Sequence, residues 1–376
     1  MKKLLYLCLI LAVAFGWSWH RFAEDRHFPD LSSDPLLSDD KLEVVVDLKT
    51  PPGNVAVSET GRVFLTLHPE ASPLMNVVEV KDGIVRPFPD MSWQPSGSNP
   101  LRFQEVLSIR IDQHNRLWVL DTGIHGFAEP RILAFDLTTA EMVYQYDFDK
   151  NTFGIGSHAN DFQVTRDGKT IFISDASIFG KSPALVVLDV EAKRARRVLE
   201  NDMSVLAGGY EAVVQGRAMT VAGVFTIDPG VDGIALSRDQ QYLYYASVSG
   251  DNLYRLPVSS LMDETLTPSQ LAAAVEPYVR KTMTDGMTTD NQGNVYLSDI
   301  ENSAIIQVTP DRKLITLVKS DRLRWPDGFS FGADGYLYVT ASALHQVIGK
   351  LRSEIKEKGP YQVFRIATEQ SATAGH

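Results

Sequence analysis

Asp285-Gly286-Met287-Thr288-Thr289-Asp290-Asn291-Gln292-Gly293-Asn294-Val295-Tyr296-Leu297-Ser298-Asp299 is the stretch whose reading decides the fold. An Asp-Gly pair leads into a short strand. A polar turn carrying Gly reverses the chain, and a second strand brings an aromatic residue. Apolar and polar residues alternate at period two, as a pleated, part-buried pair requires. The same pattern opens at Gly53-Asn54 and runs to Val63-Phe64. It recurs from Leu107-Ser108-Ile109-Arg110-Ile111-Asp112 to Leu117-Trp118-Val119, and from Asn160-Asp161-Phe162 to Ile171-Phe172-Ile173. Two more copies run from Asp232-Gly233-Ile234 to Tyr242-Leu243-Tyr244 and from Asp327-Gly328-Phe329 to Leu337-Tyr338-Val339.

Between the copies lie further strand pairs, such as Arg131 to Asp136 with Met142 to Tyr146, and Ala304 to Val308 with Leu314 to Val318. Two strands from the motif and two from such a hairpin, repeated about every 50 residues, specify an all-β, six-bladed β-propeller with four-stranded blades. The longer interval between Asn160 and Asp232 predicts an insertion within Asn201 to Ala222. A second insertion, Ser259 to Lys281, holds one short helix, with Thr267 as N-cap, Pro268 in the first turn and helix formers from Gln270 to Val275. It is expected between blades four and five. Leu42 to Leu48 can pair with Tyr361 to Ile366 and close the ring, removing the exposed edges. The propeller is therefore expected over residues 41–368, after a polar linker over 20–40 and before a tail over 369–376.

The first residues read as a targeting segment over 1–19. Lys2 and Lys3 precede the apolar run Leu4 to Phe15, and Ala14-Phe15-Gly16 offers a small-x-small cleavage site. The expectation is a secreted or periplasmic protein, with an uncleaved N-terminal anchor as the alternative. Cys8, the only cysteine, lies in that segment, so the mature domain would carry no disulfide. The net charge of −11, with no Lys/Arg-rich run, excludes the electrostatic footprint of a nucleic-acid binder. No membrane contact is expected beyond the N-terminal anchor.

In a propeller the opening residue of each inner strand lies at one mouth of the central tunnel. Here Asn160, Asp232, Asp285 and Asp327 are openers, with Asn54, Glu105 and Asp161 close in phase. Carboxylates converging on one axis repel unless a cation sits between them or they stay protonated. Donors that are all oxygen suit Ca²⁺ or another hard divalent cation. The same Asp-Gly pairs are also ordinary turn chemistry, with Asp capping the turn and Gly taking φ > 0. Asp121, Asp175 and Asp299 end the second strands at the same mouth, where capping of the next loop is their expected role. Among His125, His158 and His345, His158 stands nearest an opener and is the acid/base candidate. The sequence holds no Ser-nucleophile elbow, phosphate loop, HExxH motif or dinucleotide fingerprint.

Gln215-Gly216-Arg217, Thr226 through Asp232-Gly233-Ile234-Ala235-Leu236-Ser237, Arg116-Leu117-Trp118-Val119-Leu120-Asp121-Thr122-Gly123 and Trp325-Pro326-Asp327 resemble the yellow/major royal jelly protein family. The resemblance implies a secreted six-bladed propeller and links to dopachrome conversion and small-amine binding. The openers also resemble the SMP-30/gluconolactonase and paraoxonase group, in which Asn160, Asp232 and Asp285-Gly286-Met287 match the positions of metal ligands. That group places a Glu at the opening of blade one, where this chain has Gly53-Asn54.

Two functions follow as expectations. The first is a divalent-metal-dependent hydrolase of a lactone or small ester, with Asn160, Asp232, Asp285, Asp327 and Glu105 as metal ligands and Asp285, Asp232 and His158 as catalytic groups. The second is a non-catalytic protein that binds an aromatic amine or similar metabolite, or a dopachrome-type isomerase. In each, a small molecule occupies the central tunnel.

Overall fold

A computed structural model describes residues 28–376 except 181, 222–224, 369, 371 and 376. The targeting segment over 1–19 and the side chain of His125 lie outside the described residues. Six four-stranded antiparallel sheets form the blades. Their inner strands are Pro52–Val57, Val106–Ile111, Ala159–Val164, Val231–Leu236, Met287–Thr289 and Pro326–Phe331. Each packs beside the next, and the last packs beside the first. In the sixth blade the outermost strand is Glu43–Leu48, which pairs with Tyr361–Ala367 with Glu43 opposite Arg365 and Leu48 opposite Tyr361. The ring is thus closed by the two ends of the fold, as expected, and no inner edge is left exposed.

The Asp-turn-aromatic rhythm has a direct cause. In blade two, Asp112 accepts the His114 and Arg116 amides (2.9 and 3.0 Å), and its other oxygen accepts the Trp118 indole N–H at 2.7 Å. In blade five, Asp290 accepts the Gln292 and Asn294 amides (2.9 Å each) and the Tyr296 hydroxyl at 3.0 Å. Tyr338 donates to Asp334 in the same way at 2.8 Å. One carboxylate therefore holds the reverse turn and satisfies the polar end of a buried ring.

At the mouth, the ladder between the first and second strands shifts register in blades one, two, three, four and six. A hydroxyl on the second strand fills the gap. Thr66 Oγ1 accepts the Asn54 amide (2.7 Å) and donates to the Leu107 carbonyl (2.8 Å). Ser174 Oγ accepts the Asp161 amide (3.1 Å) and donates to the Asp232 carbonyl (2.5 Å). Thr340 Oγ1 accepts the Gly328 amide (2.8 Å) and donates to the Gly53 carbonyl (2.6 Å). Each such clasp ties one blade's opener to the next blade's.

The structure corrects the reading of the Asp-Gly glycines as positive-φ turn residues, since Gly233, Gly286 and Gly328 are not among the residues with positive φ. A Cβ on Gly286 would lie 1.9 Å from the Asp327 carbonyl oxygen, and one on Gly233 would lie 2.4 Å from that of Asp285. The missing side chain lets neighbouring inner strands approach.

Both insertions are present. The connection from blade three to blade four folds into the small hairpins Val213–Val214/Arg217–Ala218 and Thr220–Val221/Phe225–Thr226. The helical insertion sits one strand earlier than expected, inside blade four. Val258–Met262 and Pro268–Ala273 precede Glu276–Arg280, which pairs with Asn252–Pro257 as that blade's outer strand. Its N-cap, Thr267, is the expected one, and Gln270 completes a capping box with it. Part of the segment expected as a linker is docked: the Leu36 and Leu37 amides donate to the Thr316 and Leu317 carbonyls (2.9 Å each) along blade five. No helix among the described residues is long and apolar enough to cross a membrane.

Two substitutions test this packing. Gly286→Ala is expected to lose about 3 kcal/mol, the upper range for overpacking a filled site. Thr340→Val strands the Gly53 carbonyl and the Gly328 amide and is expected to cost about 1–3 kcal/mol, with Thr340→Ser restoring most of it. Urea unfolding of the three variants reads both.

Candidate functional site

The openers meet at a cavity of about 130 Å³. Asn54, Arg110, Asn160, Asp232, Asp285 and Asp327 form its polar part. Ala212, Met219, Ile227 and Pro229 from the blade three–four insertion, with Leu344 and Ile348 from blade six, form its apolar part. The site residues expected from sequence, Glu105, His158, Asn160, Asp232, Asp285 and Asp327, all line this one cavity.

Asp161, Asp232 and Asp285 are each buried, and Asp327 beside them is half-buried. Among the described residues, the cation bonded to this group is Arg110, only 2% exposed, while the buried Lys281 ammonium acts on Asp285 through its charge alone. Its Nη2 donates to both oxygens of Asp161 at 2.7 Å, and its Nη1 donates to Asn54 Oδ1 at 2.6 Å. Ser108 Oγ also donates to Asp161, at 2.5 Å. Sequence reasoning did not single out Arg110, although it lies in phase with Ser108 on the inner strand of blade two, a signal that was present. Burial raises the Asp161 carboxyl, against the pull of Arg110 and Ser108.

Asp232, Asp285 and Asp327 have no such partner. Burial holds Asp232 and Asp327 well above the usual carboxylate range, and the neighbouring Asp285 charge adds to each. Asp285 is raised less, because the Trp325 indole N–H donates to its Oδ2 at 2.5 Å and the Asp232 carboxyl also supports its charge. The two carboxyls interact directly: their mutual hydrogen bond raises Asp232 and lowers Asp285. The Asn160 amide also donates to Asp232 Oδ1, and Ser342 Oγ donates to Asp327 at 2.8 Å.

The donors on one side of this floor have the chemistry that a hard cation takes. Turned over, the Asn160 amide presents Oδ1 toward the carboxyls of Asp232 and Asp285, giving an all-oxygen donor set. On the other side, Arg110 already occupies the sector of Asn54 and Asp161. Among the described residues, no group of three or more His, Cys, Asp or Glu side chains is drawn together as a metal site in the present arrangement.

The remaining expected residues have distinct surroundings. Glu105 accepts the Thr122 hydroxyl at 2.9 Å. His158 lines the cavity, and its amide donates to Asp175 at 2.8 Å. His345 does not face the cavity. It lies behind Trp325, with the rings 13° from parallel and 6.5 Å apart, and burial lowers it to about 4. His68, which the sequence did not flag, lines the cavity and is lowered to about 4 by burial. Its Nδ1 accepts the Glu70 amide at 3.2 Å, so Nε2 carries the proton. A histidine in a loop before Pro69 gives no signal in sequence. The strand-end acids cap loops: Asp121 accepts the Gln104 and Glu105 amides (3.0 and 2.9 Å) and pairs with Arg131, and Asp175 pairs with Arg197 at 2.7 Å.

The family profile described as Major royal jelly protein matches residues 104–361, which carry blades two to five, the two inner strands of blade six and the acids Asp232, Asp285 and Asp327. The chain belongs to the major royal jelly protein family. Major royal jelly protein 6 of Apis mellifera is 25% identical over 250 residues, covering 61% of this chain and 54% of the relative. Major royal jelly protein 3 of the same organism is 25% identical, covering 64% and 45%. This chain thus spans about half the length of these relatives. Among solved structures, a luciferin-regenerating enzyme superposes with a TM-score of 0.58 at 15% identity, covering 89% of this chain and 97% of that one. A calcium-binding regucalcin from Agrobacterium tumefaciens gives 0.54 at 12% identity (88% and 96% covered). A gluconolactonase from Xanthomonas campestris gives 0.53 at 15% identity (86% and 88% covered). At such identities the likeness shows the fold alone.

The buried acids give a signed pH dependence. With raised pKa values, the native state binds more protons than the unfolded chain once pH passes the ordinary value of 3.8. In chelator, stability is therefore expected to fall as pH rises through those raised values. Asp232→Asn should flatten the fall, as read by melting temperature between about pH 4 and pH 8. Arg110→Met leaves Asp161 buried without its cation and is expected to cost about 3–5 kcal/mol at neutral pH.

Proposed function

We propose that this family member is an exported, divalent-cation-dependent hydrolase of a lactone or small ester, acting at the mouth of the tunnel. One observation carries the reading. The carboxyls of Asp232 and Asp285, both buried, and of the half-buried Asp327 line one small cavity, and the guanidinium among them is bound to Asp161. Asn160, Asp232 and Asp285 would hold the cation, Ca²⁺ by its oxygen donors, with Asp327 alongside. When bound, such an ion polarises a carbonyl and acidifies water. Asp285, its Oδ2 bonded by the Trp325 N–H, is placed to accept the proton of that water and return it to the leaving oxygen, with the Asp232 carboxylate held on the cation. His158 stands on the wall of the same cavity. Glu105 lies on that wall, tied to Thr122, and would stay outside the ligand set. The apolar roof excludes bulk water, and the cavity volume limits the substrate to a small molecule. The names of two structural neighbours, a gluconolactonase and a calcium-binding regucalcin, agree with this chemistry. Export rests on Lys2, Lys3 and the apolar run Leu4 to Phe15.

The apolar roof over an acidic floor favours a second reading, a binding protein for a small amine whose ammonium takes the place of the cation. The two are separated by metal analysis and activity together. The hydrolase reading expects bound Ca²⁺ that EDTA removes, a melting temperature that Ca²⁺ restores, and hydrolysis of at least one compound in a lactone and ester panel. Asp285→Asn should then lower kcat by about 10²–10⁴-fold. Stabilisation by amines in chelator, with no metal retained, would move the assignment to the binding protein. Neither metal nor amine effects would remove both.

A further inference from the structure

Trp325 has a backbone that a bulky residue rarely adopts. Its φ is +56°, in the left-handed region. Its surroundings impose this. The Ser342 amide donates to the Trp325 carbonyl at 3.0 Å and the Ala343 amide to the Arg324 carbonyl at 2.7 Å. The Arg324 side chain is anchored on the Lys358 and Pro360 carbonyls at 3.0 and 2.5 Å. The outcome is an indole only 6% exposed, set in the cavity wall, with its N–H on Asp285 Oδ2 at 2.5 Å. The indole is backed by His345, whose Nε2 meets Gln215 Oε1 at 3.2 Å. Gln215 lies in the turn between the strands Val213–Val214 and Arg217–Ala218, beside the roof residues Ala212 and Met219. Strain held in place at a functional site, with a row of contacts behind it, marks a side chain whose position matters.

We propose that Trp325 is the positioning residue of Asp285, fixing Oδ2 so that Oδ1 is the oxygen presented to the reacting group. This rests on the proposed role of Asp285. The chemistry of indole suits the task. It donates one hydrogen bond and accepts none, so it holds a carboxylate without competing for its proton or for a cation. A charge-assisted bond between buried partners is strong enough to select one rotamer of a short side chain. The His345 ring and Gln215 stop the indole from rotating away, and they place the roof hairpin in the same row of contacts.

The bond is tested apart from activity by NMR of isotope-labelled tryptophan. The Trp325 indole resonance, assigned by its loss in Trp325→Phe, is expected far downfield and to move in Asp285→Asn but not in Ser342→Ala. His345→Leu, which removes the stack, should shift the same resonance and serves as the assignment if Trp325→Phe does not fold. In the hydrolase assay, Trp325→Phe should lower kcat about 10–100-fold with KM unchanged. An indole resonance indifferent to Asp285→Asn overturns the proposal, as does a Trp325→Phe enzyme with wild-type kcat. A wild-type chain that hydrolyses nothing overturns the hydrolase reading alone, and the indole resonance then decides the positioning role.

Discussion

Six inner strands must begin within reach of one axis, and the hydroxyl clasps between their openers are how this chain meets that demand. An opener cannot stay in its ladder and also turn toward the axis, so the register shifts there in most blades. A buried amide left by the shift needs a partner, and in blades one, three and six a strand-two Ser or Thr supplies it. Because a hydroxyl both accepts and donates, it also reaches the next blade's carbonyl. Thr340 on Gly53 closes the circle, where the Glu43–Leu48 strand has already closed the outer edge. The glycines after the opening aspartates belong to the same constraint, since only a missing Cβ lets one opener sit against the next carbonyl.

That crowding concentrates charge. Four carboxyls enter a space that water reaches poorly, and one guanidinium enters with them. The split is uneven. Arg110 gathers Asp161 and Asn54 into a neutralised sector through its two terminal nitrogens. Asp232, Asp285 and Asp327 have hydroxyl, indole and amide donors in place of a bonded cation, and burial raises all three. The floor is thus built of a half that a guanidinium neutralises and a half that none does. The missing blade-one Glu belongs to the neutralised half, where Asn54 serves Arg110.

The roof comes from the blade three–four insertion and from blade six, and the segment ahead of the propeller packs against that insertion. Phe28 packs edge-on to Tyr210 at 4.8 Å, and the Lys281 ammonium lies 5.8 Å from the Phe28 ring. Lys281 is fully buried and donates to the Val248 carbonyl at 3.0 Å, and burial lowers it to about 7. The blade three–four insertion is tied to blade six through Gln215 on His345 and through Arg217 on the His345 and Ile348 carbonyls. These contacts join parts of the chain far apart in sequence, and they set the size of the cavity.

By itself the sequence determined the architecture: period-two strands, the Asp-turn-aromatic hairpin and the strand that closes the ring were all legible, because each depends on residues a few positions apart or on a repeated pattern. It also determined which residues reach the mouth, since Asn160, Asp232, Asp285 and Asp327 stand in one register. It did not show that Arg110 neutralises Asp161, that the Asp-Gly glycines serve close approach, or that the helical insertion belongs inside blade four. His68 facing the cavity, His345 lying behind Trp325 and Trp325 holding Asp285 were equally hidden. Those facts depend on distances between separate blades, and a one-dimensional pattern carries no such distance. Only the tertiary structure decides which acid finds a cation, which finds an indole and which keeps its proton.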